Sequence, residues 1–186
     1  MKTKTFTIWV CILLGLIITV TVLGFFRKPD NSQIASNVKR AFEAKATIKL
    51  KDITLVGDVN KTKENTCTVT IQSPENLKGM KICYDGKDIV VGFKGFNVNL
   101  DSNSKLVNSI AKVILNSIDS VNDDIGVKIE DDTLKLNGKS DTGKFNMILS
   151  KSNRSIMSLS VPELDFECEF DDFIFKSPPQ KEKTTN

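Results

Sequence analysis

The chain contains no histidine. That removes Ser-His and Cys-His nucleophilic catalysis, and with them the commonest zinc ligand. Tyr and Trp occur once each against 11 Phe, so apolar surface here is poor in hydroxyl and indole donors. No Gly-x-Gly-x-x-Gly fingerprint, P-loop or nucleophile elbow is present. None of the 4 cysteines stands in a Cys-x-x-Cys pair. Charge of one sign is also missing: Lys+Arg 26 against Asp+Glu 23 leaves a net +3. The lysines are spread along the chain rather than gathered in a basic block, which gives no footprint for nucleic acid. These absences argue against an enzyme, a cofactor and a metal site.

One long apolar run is present. Residues 6–26 carry no charge, and Lys2 and Lys4 precede them. About 20 apolar residues suffice to cross a bilayer as a helix. The run exceeds the apolar region of a cleaved signal, about 7 to 15 residues, and no Ala-x-Ala site follows it; Val22-x-Gly24 is a poor substitute. Cys11 follows Ile8-Trp9-Val10 and lacks the small residue expected before a lipidated cysteine. Residues 1–28 therefore read as an uncleaved signal anchor, a single transmembrane helix. Arg27, Lys28, Lys39 and Arg40 pull against an inside N-terminus. The export-like start outweighs them, so the expected location is the cell membrane, with the domain on the extracytoplasmic side. Residues 29–176 are enough for one ordinary core. The polar, Pro-containing residues 177–186 read as a disordered tail.

The expected element order is helix, about six strands, helix, about five strands. Ile34, Val38, Ala41 and Phe42 recur at helical spacing, giving a helix over 32–43 with Ser32 or Asn31 as its cap acceptor. Period-two alternation follows over 46–51, 54–59 and 66–71, and Ser73-Pro74 ends the third strand. Residues 80–84 and 87–93 form a hairpin over Asp85-Gly86. Phe96, Val98 and Leu100 alternate once more. Leu106, Ile110, Val113, Ile114 and Ile118 then mark an amphipathic helix over 104–120. Strands resume at 126–130, 133–136, 144–149, 155–161 and 164–175. Cys67 shares a face with Val69 and Ile71, and Cys168 with Phe166 and Phe170. Both read as buried small hydrophobes; a single disulfide among Cys67, Cys83 and Cys168 is the alternative.

Short connections favour an antiparallel meander. The fold class is α+β, mainly β: a curved antiparallel sheet with two helices, one laid on its concave face. Two surfaces are candidate sites. The last strand sets Glu163, Asp165, Glu167 and Glu169 on one face, either a solvated edge or a partner-binding edge. Such an edge could also pair with a second copy, giving a homodimer. The stripe Leu106, Ile110, Val113, Ile114 and Ile118 is either core or the lining of an acyl-chain groove. The pairs Asp123-Asp124, Glu130-Asp131-Asp132 and Asp171-Asp172 fall at turns and strand ends, where Asp serves local backbone bonding.

The stretch ATIKLKDITLVGDVN, followed by TVTIQSPENLKGMKICYDGKDIVVGFKGF, resembles the LolA/LppX/RseB-like superfamily of exported half-barrels. The shared features are the first strand pair, the Pro-containing turn, Leu77-Lys78-Gly79 and the hairpin Tyr84-Asp85-Gly86-Lys87. The resemblance implies an unclosed antiparallel barrel whose members carry lipids or lipoproteins, or act as sensors. The anchored, Lys- and Asn-rich character looks like the clostridial group related to the spore germination lipoprotein GerS. For that group the resemblance implies a non-enzymatic partner of a peptidoglycan amidase, held at a spore membrane. The chain departs from it in lacking a lipobox. The reading is thus a membrane-anchored binding or scaffold protein of the cell envelope, with a lipid or acyl-chain carrier as the alternative.

The anchor should remain on the mature protein. N-terminal sequencing of protein purified from its native membrane should begin ahead of residue 6. A start at Phe25 or later would show that the run is cleaved.

Overall fold

The computed structural model describes residues 31–101 and 109–176. They contain α1 (Asn31–Val38), β1 (Phe42–Leu50), β2 (Ile53–Lys61), β3 (Cys67–Ser73), β4 (Lys81–Tyr84), β5 (Asp88–Phe93) and β6 (Phe96–Asp101). Then come α2 (Ile110–Asp119), β7 (Gly126–Glu130), β8 (Thr133–Ser140), β9 (Gly143–Ser150), β10 (Ile156–Val161) and β11 (Phe166–Phe175). Short 3₁₀ turns sit at Glu75–Leu77 and Pro162–Leu164. Among the described residues no helix is long and apolar enough to cross a membrane. The proposed anchor, residues 1–28, and the proposed tail, 177–186, lie outside the described residues.

All eleven strands join one antiparallel sheet in the order β6-β5-β4-β3-β2-β1-β11-β10-β9-β8-β7. The two ends, β6 and β7, do not pair, so the sheet is unclosed. Its curvature follows from α2. That helix packs against β3 and β4 on one side and β8 on the other. Strands β3 and β8 are six places apart in the order, about 29 Å in a flat sheet at normal strand spacing. A helix is only about 10 Å across, so the sheet must curl around it. This is the expected half-barrel, with α2 on its inner face.

Alternation explains the layering. In β1, Phe42, Ala44, Ala46 and Ile48 are buried while Glu43, Lys45 and Lys49 are exposed. In β11, Phe166, Cys168 and Phe170 point in, and Glu167 and Glu169 point out. The core is one continuous cluster that also takes Ile34, Ala35 and Val38 from α1. At Gly57 the β2–β3 register shifts, and a Cβ there would lie 2.7 Å from the Thr70 carbonyl oxygen. No residue with a side chain fits that approach.

Three expectations need correction. The first helix ends at Val38, not 43, because Phe42 begins β1. Its ring stacks on Phe173 at 4.5 Å between centroids and meets Phe170 edge-on at 6.2 Å. Sheet pairing wins over the local helical spacing of Ala41 and Phe42. Asn31 does not act as a cap acceptor at that helix. Its side-chain amide donates to the carbonyls of Asp123 and Ile125, tying α1 to the entry of β7. The third correction is positional: β11 is not an edge strand. It lies between β1 and β10 in the middle of the sheet.

Helix α2 is described from Ile110, with Ser109 as its N-cap; the Ser109 hydroxyl accepts from the Lys112 N–H at 3.2 Å. At the other end Asp119 accepts from the Asn65 side-chain amide at 2.5 Å. Lys61, 2% exposed, donates its Nζ to the Lys39 carbonyl just beyond α1, at 2.9 Å. A cation there also faces the negative end of the α1 dipole.

Ile114 is fully buried. Ile114→Val should cost about 1 kcal/mol, and Ile114→Asp several kcal/mol, since an unpaired charge would be buried. Urea titration distinguishes them. Lys61 gives a pH signature. Burial lowers its ammonium below the usual 10.5. The folded value then lies below the unfolded one, so the charged form costs stability at lower pH. Stability should rise as the pH climbs from the folded value toward the unfolded one. Lys61→Met should abolish that alkaline rise, measured by denaturation at neutral and alkaline pH.

Candidate functional site

The inner face is filled. Ile110, Val113, Ile114 and Ile118 of the proposed groove are at most 5% exposed, as are Ala111 and Leu115 beside them. Leu106 lies outside the described residues. Among the described residues, surface clefts of 380–500 Å³ open away from α2 and take no residue from it. The stripe that sequence marked as either core or groove is packed into the core.

The four acidic positions do not share one strand face. Glu163 belongs to the 3₁₀ turn Pro162–Leu164. Asp165 follows it in the left-handed region, φ 49°. Its N–H donates to the Pro162 carbonyl, and its own carbonyl accepts from the Lys51 N–H at 2.9 Å. Lys51 is also left-handed, φ 53°. Two non-glycine residues thus hold an uncommon backbone conformation and lock each other across the gap between two turns. Glu167 and Glu169 lie farther along, on the outer face of β11.

This arrangement makes a corner. One cleft of about 500 Å³ is lined by Leu50, Lys51, Asp52, Ile53, Glu163, Leu164 and Asp165. A second, about 380 Å³, shares Lys51 and Asp165 with it and adds Lys49, Ser160, Pro162, Phe166 and Glu167. Ile53 is 56% exposed, unusual for its side chain. An apolar patch of Leu50, Ile53 and Leu164 is therefore framed by charges of both signs. Of the four predicted acids, Glu163 and Asp165 border it, and Glu167 borders the adjoining cleft. The basic and apolar members were not singled out in the sequence. The usable signal was Lys51-Asp52-Ile53, a charged two-residue turn running straight into a β-branched apolar residue.

Glu169 is elsewhere, paired across to Thr47 and Ser158 on the outer face. That face carries counter-charges. Lys49 lies 3.9 Å from Glu167, and Lys45 is 2.7 Å from Asp172. The Lys45 hydrogen bond holds the Asp172 carboxyl below its ordinary value. Such exposed pairs contribute little stability, because solvent screens them.

Cys67, Cys83 and Cys168 are free thiols, so the disulfide alternative is not formed. Burial pushes the Cys67 thiol up to about 12 and the Cys168 thiol higher still. Neither supplies a thiolate at neutral pH. Among the described residues no group of three or more His, Cys, Asp or Glu converges as metal ligands would.

No family model matches the chain, and no curated protein matches it in sequence. Solved structures do. An uncharacterized conserved protein from Thermus thermophilus superimposes with TM-score 0.51 at 11% identity, over 78% of this chain and 85% of that one. A LolA superfamily protein from Nitrosomonas europaea gives 0.42 at 14% identity, over 79% and 94%. A structure of the CwlD amidase from Clostridioides difficile in complex with the GerS lipoprotein gives 0.46 at 18% identity, over 74% and 87%. The Thermus likeness is one of fold.

Removing the corner's apolar anchor should not unfold the domain. Ile53→Ser should change stability by no more than about 0.5 kcal/mol, because the side chain already faces solvent. A thermal melt checks this.

Proposed function

We propose that the domain is a non-enzymatic binding or scaffold module, held at the extracytoplasmic side of the cell membrane by residues 1–28. It takes a cell-envelope protein at the end of the sheet, at the corner formed by Leu50, Ile53, Leu164 and the charges around them. One observation carries this reading: α2 is packed into the inner face, where Ile110, Val113, Ile114 and Ile118 are at most 5% exposed, while Ile53 at the corner stands 56% exposed. A carrier needs open apolar space under that helix. The partner class, a peptidoglycan amidase, comes from the resemblance to the GerS group, and with it a role in spore germination or cortex processing. The charge frame suits a partner that presents an apolar side chain flanked by charges of both signs, its basic groups facing Glu163 and Glu167.

The test is binding of the full chain, in detergent, to a purified peptidoglycan amidase from the same cell. The double change Glu163→Lys with Glu167→Lys should weaken the complex roughly tenfold, with the larger loss at low salt. Its melting temperature should stay near that of the native chain. Ala111→Leu, which alters only the core under α2, should destabilise the domain without this salt-dependent loss. A charge reversal without effect, together with a stoichiometric acyl lipid in solvent extracts of the native protein, would replace this reading with the carrier.

A further inference from the structure

The two free edges of the sheet are built differently. Strand β7 carries Lys128 and Glu130, joined to each other at 2.7 Å, with Lys135 of β8 also on Glu130. Charge on an edge discourages pairing with another chain. Strand β6 reads Phe-Asn-Val-Asn-Leu-Asp, with no charge from 96 to 100, no proline and no register shift against β5. Phe96 is 78% exposed and Val98 54%. Both are on the side of the sheet that carries Val91 and Ile82, which pack against the core. An uncharged, regular edge with its apolar side uncovered invites a partner strand.

The hydrogen-bonding phase of this edge can be worked out. Lys94 and Gly95, with φ 49° and 85°, form the two-residue turn between β5 and β6. Phe93 and Phe96 flank it and are a hydrogen-bonded pair. The phase alternates from there. Phe96, Val98 and Leu100 therefore spend their backbone groups on β5, while Asn97 and Asn99 direct theirs to the open side.

We infer that β6 pairs antiparallel with β6 of a second copy, about a two-fold axis at Val98, to make one continuous sheet across a homodimer. In this register Asn97 exchanges backbone hydrogen bonds with Asn99 of the second copy, and the reverse. Val98 stands opposite Val98, a non-hydrogen-bonded pair whose side chains approach closely. Phe96 stands opposite Leu100. No like charges meet. Lys94 precedes the strand and Asp101 ends it, so antiparallel pairing brings ends of unlike charge together. The register is self-complementary, as an isologous interface requires. A second copy satisfies it with no further sequence needed.

The experiment uses the full chain in detergent. Val98→Cys should give a disulfide-linked dimer under mild oxidation, because a non-hydrogen-bonded antiparallel pair has the Cα spacing a disulfide accepts. The same link should form when Cys11 and Cys83 are changed to Ser. Val98→Lys should weaken self-association roughly tenfold or more by sedimentation, by setting two like charges opposite each other. Mixing Val98→Lys with Val98→Glu protein should restore the dimer, which also shows that each variant is folded. A native chain that is monomeric in detergent would overturn the inference. So would a dimer that survives Val98→Lys, since that dimer would be held by another surface, the anchor included. A monomer whose Val98 is shielded only by a different protein would overturn it too.

Discussion

Everything in this domain hangs on the pairing of β1 with β11. The ladder runs from Phe42 opposite Phe175 to Leu50 opposite Phe166. It joins two meanders, β1 to β6 and β7 to β11, which α2 and α1 also bridge. Without it there would be two open sheets, each with a bare edge and half an inner face. The cluster of Phe42, Phe170, Phe173 and Phe175 sits at one end of the seam, with Arg40 over the Phe175 ring at 4.4 Å. Aromatic pairs in edge-on and stacked contact add about 0.5–1.5 kcal/mol beyond their buried area. The seam is thus reinforced where the chain enters and leaves the sheet.

The seam also decides which surfaces are available. It places the acidic side of β11 beside Lys45 and Lys49 of β1, so that side is a mixed polar ladder rather than a negative stripe. By drawing the 3₁₀ turn after β10 up to the β1–β2 turn, it creates the corner with Ile53. With β11 and β1 in the middle, the free edges fall to β6 and β7, strands that flank α2 in sequence.

Much of this was legible in the residues. Alternation located all eleven strands, because period two with one buried face is a strong local signal. The second helix was equally clear, since Ile110, Val113, Ile114 and Ile118 keep helical spacing and face the core. What local pattern cannot carry is the neighbour. The row Glu163, Asp165, Glu167 and Glu169 looks the same whether the strand is at an edge or in the centre. Its first two members also alternate by accident, within a turn whose left-handed Asp165 breaks the strand. The end of α1 was misjudged for a similar reason: Phe42 fits both periods, and only the distant Phe173 and Phe175 decide between them. The corner escaped because Ile53 resembles any other strand residue until its surroundings are known.

The seam has a consequence for how the domain comes into being. A ribosome releases β1 early and β11 last, and proteins generally fold from the N-terminus as they are made. The first meander therefore waits with two raw borders, β6 and β1, and lacks the strand that would cover the second. Contacts this distant in the chain form slowly because the loop between them must first close. For that interval the nascent protein is at its most adhesive. Its readiness to clump should depend more on how quickly the final ten-residue strand arrives than on the stability of the finished fold.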